Sequence, residues 1–120
     1  MDYTKKLSIL KNSKFRSSFH LGDIEKEIIK KKGLGTIRVH AEEMLGKRIK
    51  NRPKNDGRQT PFKGHPVFVA QHATAICCRK CIEKWHHIPK DKPLTNEELT
   101  TFSSLIMAWL KNELNEEQKP

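Results

Sequence analysis

Apolar residues along this chain recur mostly at intervals of three and four, the period of a helix with one face turned inward. Between Asp23 and Lys32 they are Ile24, Ile28 and Ile29, with acidic residues at the start, lysines at the end and Gly33 beyond. Charge of that polarity complements the helix dipole, so a short helix is predicted there. After Gly33-Leu34-Gly35, Thr36 can cap a second helix carrying Ile37, Ala41, Met44, Leu45 and Ile49, which makes a helical hairpin. The last third carries the clearest signal. Thr95-Asn96-Glu97-Glu98 has the form of a capping box, and Leu99, Phe102, Leu105, Ile106, Trp109 and Leu110 form a core stripe that predicts a helix from Asn96 to about Leu114.

Two stretches depart from the period. Residues 51–64, NRPKNDGRQTPFKG, combine two prolines, two glycines and an Asn-Asp-Gly turn signal without apolar rhythm, so a long loop is predicted. Val67-Phe68-Val69 is too short for periodicity to separate a strand from a buried helical turn. Residues 76–85 read as helix, and Pro89 favours its end near Ile88. The expected fold is mainly α: a compact single domain of about four or five helices, with a long basic loop, a Cys/His-rich segment and room for one short strand. Residues 1–14 are expected as a basic N-terminal segment, 15–114 as the globule and 115–120 as a tail.

Composition narrows the class. A chain of 120 residues with 35% apolar content supports one modest core rather than two. Three cysteines, Cys77 and Cys78 adjacent, do not make a disulfide framework, and no stretch before Phe19 resembles a signal-peptide core, so a reducing, cytoplasmic setting is expected. No run approaches the roughly 18 apolar residues of a membrane span. The net charge of +10 is uneven: residues 46–64 carry +6 and residues 93–120 carry −3. A polyanion is the natural partner of such a surface, and Lys47, Arg48, Lys50, Arg52, Lys54, Arg58 and Lys63 are the candidate phosphate contacts on DNA or RNA. The Gly33-Leu34-Gly35 turn only partly matches a helix-hairpin-helix, because Val39 stands where that motif has a small residue; Gly33 is read as a helix C-cap.

Chemistry is concentrated between His65 and His87, which hold all three cysteines and four of the six histidines. Thiolates and imidazoles are the ligands of borderline-soft metals, and a thiolate is also a strong nucleophile. Cys78-x2-Cys81-x4-His86 has the spacing of the first three ligands of a zinc knuckle, but Asp91 stands where the fourth cysteine belongs. The candidate ligands are therefore His72, Cys78, Cys81 and His86, with Cys77 and His65 in reserve and His87 a further second choice. The metal is expected to be zinc, with iron or an iron–sulfur cluster as the alternative. A continuous helix would turn His86 about 140° from Cys81, so His86 joins only if the helix breaks near Trp85. Cys77, Cys78 and His72 are the candidate catalytic groups, since Arg79, Lys80 and Lys84 would lower a neighbouring thiol's pKa. Burial of the cysteines as small apolar residues is the plain alternative. His20 and His40 are expected to be structural, and Gln71 and Thr74 to hydrogen-bond around the site. A c-type haem is excluded because Ile82 follows the CxxC, and a thioredoxin-like site lacks the downstream strands.

FRSSFHL from Phe15, GLGTIRVHAEE from Gly33, NDGRQTPFKGHPVFVAQHATAICCRKCIEKWHHIPK from Asn55 and IMAWL from Ile106 together resemble a family of small bacterial and phage proteins catalogued as a domain of unknown function. The resemblance implies one self-contained domain and supplies no activity. His87 looks like a departure from the family's text, which favours His86 of that pair. The expected function is a small metal-binding domain that engages nucleic acid through its basic loop. The alternatives are a metal-assisted or thiol-dependent enzyme and a bacterial or phage protein-interaction module.

Overall fold

Helix α7 (Asn96–Gln118) is the longest element and forms one wall of the core. The computed structural model describes residues 3–118, with side chains through residue 115. Ahead of α7 come α1 (Tyr3–Lys11), α2 (Lys14–Ser17), α3 (Asp23–Lys32), α4 (Leu34–Arg48), α5 (Pro66–Ala73) and α6 (Arg79–His86). The fold is mainly α, with seven helices among the described residues where about four or five were expected. The additions are the four-residue α2 and helix α1, which lies in the expected N-terminal segment and buries Leu7 and Leu10. No strand occurs among the described residues, so the short strand allowed at Val67-Phe68-Val69 is corrected to helix α5. Pro66 opens that helix at a position where its missing N–H costs nothing, and His65 caps it, Nδ1 accepting from the Val67 N–H at 3.1 Å.

The core lies where α4 and α5 meet α7. Ile37, Ala41, Leu45 and Ile49 face Phe102, Leu105, Ile106 and Leu110, and all eight are buried, with Leu99 and Trp109 packed at the margin. Each buried leucine or isoleucine contributes about 1.5–3 kcal/mol relative to exposure. The capping box forms as written: the Glu98 N–H donates to Thr95 Oγ1 at 3.1 Å and the Thr95 N–H to Glu98 Oε1 at 2.8 Å. Helix α7 then runs to Gln118, four residues past Leu114, since no breaker intervenes. No helix of the described residues is long and apolar enough to cross a membrane.

Three local expectations change. Gly33, at φ 81°, ends α3 with its N–H on Ile29 O at 2.8 Å and begins α4 directly, so Thr36 lies inside the helix and is not its cap. Leu34 and Gly35 are already helical, so no separate GLG turn stands between the helices. Ile24 is 67% exposed, and the inner face of α3 is Glu25 and Ile29 instead. The buried Glu25 carboxylate accepts from the Gly22 N–H at 2.7 Å and the Gly64 N–H at 3.0 Å, which fastens the end of the long loop to α3.

Candidate metal centre

The site begins with a turn. Helix α5 ends in a Schellman arrangement: the Ile76 N–H reaches back to Gln71 O at 2.8 Å and the Ala75 N–H to His72 O at 3.4 Å. Ala75 holds the left-handed position, φ 60°, where glycine is usual, and its methyl is fully buried. Gln71 closes the turn a second time, its Nε2 donating to Ile76 O at 3.1 Å, and Thr74 Oγ1 donates back to Ala70 O at 2.6 Å. The chain leaves the turn through Ile76 and Cys77 and enters α6 at Cys78, which is the N-cap: its Sγ accepts from the Cys81 N–H at 3.4 Å. The predicted helix over 76–85 thus starts at Arg79, and Cys77 lies before it.

This path draws the three thiols together. The Sγ atoms of Cys77, Cys78 and Cys81 all lie within 4.8 Å of one another at the N-terminal end of α6, where helix dipoles favour negative charge. Among the described residues no other group of three or more His, Cys, Asp or Glu is arranged to hold an ion. All three cysteines are free; Cys77 and Cys78 are buried and Cys81 is half-buried.

The cation at the thiols is Arg16, from α2. It is 6% exposed, and its guanidinium donates to Cys81 Sγ at 3.2 Å, to Cys77 Sγ at 3.6 Å and to His72 O at 2.7 Å. The hydrogen bonds Cys81 receives from Cys77 and Cys78 pull it far below the usual thiol range against the effect of burial, and Arg16 adds to the pull. Hydrogen bonding to Cys78 and Cys81, then burial, holds the Cys77 thiol far above that range. At Cys78 the contact with Cys77 lowers the thiol, but the contact with Cys81 and burial outweigh it and push it up. Of the three, Cys81 and not the candidate nucleophiles Cys77 and Cys78 is the thiol whose surroundings favour the ionised form. Burial alone would lower the Arg16 pKa, but the bonds to Cys77 and Cys81 raise it.

The histidines are engaged elsewhere. His72 Nε2 donates to Thr60 O at 3.0 Å, leaving the lone pair on Nδ1; burial pushes this imidazole down. It lies beside the thiols without joining the three-sulfur group. Helix α6 does not break at Trp85, so His86 is turned away: its Nε2 donates to Thr74 O at 2.9 Å and its ring packs on Phe102. Burial pushes the His86 pKa down to about 4. His65 Nδ1 accepts from Val67, so its proton is on Nε2, which donates to His40 Nδ1 at 3.3 Å; burial, then His40 and Lys32, push it down to about 4. The structure therefore brings Cys77, Cys78 and Cys81 together and does not bring His65 or His86 to them.

Arg79, expected to act on the thiols, faces the other way. It is fully buried and its guanidinium donates to Lys50 O at 2.9 Å, Pro89 O at 2.9 Å and Lys92 O at 2.8 Å. The long loop is clamped against the site: Asp56 Oδ1 accepts from the Arg79 N–H at 2.8 Å, and Thr60 Oγ1 donates to Cys77 O at 2.7 Å. Of the seven candidate phosphate contacts, Lys47, Arg48, Arg52, Lys54, Arg58 and Lys63 are exposed and Lys50 is half-buried. Arg52 pairs with Asp56 at 3.2 Å. Sequence reasoning missed Arg16 and Thr60 at the site, since both meet Cys77 from distant positions in the chain.

Fold and site define a small, mainly helical domain with a largely buried three-cysteine centre braced by an arginine. The chain belongs to the family described as Domain of unknown function (DUF4186), whose sequence model matches residues 4–111. No solved structure matches it.

Proposed function

We propose that this is a metal-binding domain in which Cys77, Cys78 and Cys81 hold one divalent ion, zinc, as thiolates. The observation that carries the reading is the three-sulfur group with Arg16 hydrogen-bonded to two of its members. Zinc–sulfur bonds of about 2.3 Å in a tetrahedron put neighbouring sulfurs about 3.8 Å apart. A trio already within 4.8 Å suits a single ion better than an iron–sulfur cluster, which spreads its cysteines over several irons. Charge agrees. Three thiolates and a divalent ion leave one negative charge in a buried place, and the Arg16 guanidinium cancels it. Arg16 also supplies the N–H donors that metal-bound sulfurs commonly receive. His72, with its N–H directed to a backbone carbonyl and Nδ1 carrying the lone pair, is the fourth ligand we retain. A reducing, cytoplasmic compartment belongs to this reading because it keeps the thiols available.

Elemental analysis of protein purified without a polyhistidine tag tests it. One zinc per chain is expected, lost in Cys81→Ser, and cobalt substitution should give thiolate-to-metal charge-transfer absorption. A folded chain that carries no metal and gains no stability from added zinc rejects the reading.

A second reading rests on a different observation: the basic loop is held in place at both Thr60 and Gly64 while its cations point outward. On that ground the domain binds nucleic acid, with Lys47, Arg48, Lys54, Arg58 and Lys63 on phosphates, Lys50 at the margin and Arg52 divided between phosphate and Asp56. Binding should weaken steeply with salt. Binding that is absent or indifferent to salt rejects it.

A further inference from the structure

Four aromatic rings form a ledge beside the thiol site. Phe15 meets Phe19 edge-on at 5.1 Å, and Phe19, Phe62 and His72 lie nearly parallel, with Phe62 4.3 Å from His72 and Phe19 5.3 Å from it. The two outer rings are left open: Phe15 is 54% exposed and Phe62 is 62% exposed. A lone exposed phenylalanine is ordinary, but two joined through a packed third make a patch. Phe62 is not exposed by default of a loose loop. Thr60 on one side is bonded to Cys77 O and Gly64 on the other to Glu25, so the ring is held out on a clamped segment.

The surroundings say what would cover it. Residues 3–22 and 57–82 supply all four rings and contain no Asp or Glu, and the carboxylates that reach them from outside, Glu25, Asp56 and Glu113, are engaged by the Gly64, Arg79 and Leu21 N–H groups. The two stretches do contain the exposed cations Lys14, Arg58, Lys63 and Lys80. Arg16 lies under Phe15, its guanidinium carbon 4.9 Å from the ring centroid. A protein partner would need an acidic surface with apolar knobs. Single-stranded nucleic acid supplies both properties in every residue, a flat base and a phosphate, and unlike a duplex it can turn the face of a base outward.

We infer that Phe62 and Phe15 form a stacking platform for the bases of a single strand, with Lys14, Arg58, Lys63 and Lys80 along its phosphates. The inference rests on the nucleic-acid reading above and names the form of polymer taken. Stacking does not distinguish DNA from RNA, so both are probes. Fluorescence anisotropy with labelled oligothymidine and oligouridine of about 20 nucleotides, and a duplex of equal length, measures the preference. Single strands should bind more tightly than the duplex. Phe62→Ala should weaken single-strand binding by about 5- to 150-fold, the range for losing one stacked base, with the salt dependence retained. Phe62→Trp should keep or improve it, whereas Arg58→Ala and Lys63→Ala should lower the salt slope. Phe15→Ala, rooted in α2 and not in the loop, gives an independent loss should Phe62→Ala disturb His72.

Three results would overturn the inference. Equal binding of duplex and single strand, unchanged by Phe62→Ala and Phe15→Ala, removes the platform but leaves the phosphate contacts standing. No binding of either polymer removes the nucleic-acid reading itself. A wild-type dimer that becomes monomeric in Phe62→Ala makes the patch an interface between copies of the chain.

Discussion

Two arginines are buried among the described residues, and they are buried for opposite reasons. Arg79 is fully enclosed, and its three donations go to neutral carbonyls of Lys50, Pro89 and Lys92, which draw the entrance of the long loop and the segment after α6 onto one point. Lys50 O also accepts from the Leu94 N–H at 2.8 Å, so the same point leads into α7. Arg16 instead donates to two sulfurs and one carbonyl. A carbonyl is a full acceptor whether or not a charge is near, but a neutral thiol is a poor one. A guanidinium against thiols therefore calls for a thiolate or a metal thiolate, while one against carbonyls calls only for a particular backbone shape. The first marks a site and the second holds a fold, although burial alone would rank Arg79 above Arg16.

The sharpest way to break that distinction is to remove each guanidinium and ask whether the loss depends on metal. Arg79→Met should destabilise the chain by about 3–5 kcal/mol, because it takes a donor from three carbonyls, of which Lys50 O alone has a second one in the Leu94 N–H. Arg79→Lys should recover only part, since one ammonium cannot serve three acceptors set by a planar fork. Denaturant unfolding with and without zinc would show the same loss in both. A loss that vanished on chelation would make Arg79 part of the site and erase the contrast.

Arg16→Gln should behave the other way. Removing a donor to metal-bound sulfur lowers affinity by about 10- to 100-fold, read as a weaker zinc or cobalt affinity by competition with a chromophoric chelator. The difference in stability from wild type should be larger with metal than without it, because the bound ion's charge is then uncompensated. If the variant binds zinc as tightly as wild type, Arg16 is packing and the charge argument for a divalent ion falls with it.

The contrast also explains which parts were legible in the sequence. The helix of Asn96 was readable because both halves of its cap are written within four residues, and the Ile37-to-Ile49 stripe because helical period and burial agree there. The end of α5 was not, since its left-handed residue is Ala75, where a reader looks for glycine, and its successor helix is capped by Cys78 instead of Ser, Thr, Asp or Asn. The crowding of ligands told where the site lies, and Cys78 and Cys81 were named from their spacing; Cys77 was held back, yet the turn at Ala75 brings it in. Spacing cannot say which acceptor an imidazole meets: His86 and His65 brace backbone and helix ends. Arg79 was assigned to the thiols because it is adjacent in sequence, and Arg16 went unnoticed because its contacts to Cys77 and Cys81 span 61 and 65 positions. Local pattern predicts elements; the partner of a buried charge is a tertiary fact.

His86 offers a test through acid. Its folded pKa near 4 lies below the ordinary 6.5, so the unfolded chain binds the extra proton first. The stability tied to this neutral imidazole is complete above about pH 6.5 and lost as pH falls through about 4. His86→Gln, which keeps a donor for Thr74 O, should flatten the decline of the metal-free protein across that window, measured by urea midpoints at each pH. An unchanged decline would mean that His86 is solvated in the folded state and braces nothing.

The smallest expected effect lies at the edge of the Arg79 clasp. Asp56 accepts from the Arg79 N–H, from Arg52 Nε at 3.2 Å and from Gln59 Nε2 at 3.0 Å. Burial would raise its pKa, but these bonds outweigh burial and set it below the ordinary 3.8. The carboxylate therefore contributes stability above about that value, and the contribution disappears as pH falls through the depressed folded pKa. Asp56→Asn keeps an acceptor for the Arg79 N–H and gives up the charge facing Arg52, a half-exposed partner, so the cost near neutrality should be about 1 kcal/mol. At low pH wild-type Asp56 is itself uncharged, and the gap between the two proteins should close. A gap that persists there would locate the loss in hydrogen-bond geometry rather than charge. The clasp would then depend on shape alone, which separates it further from the thiol site, where charge decides.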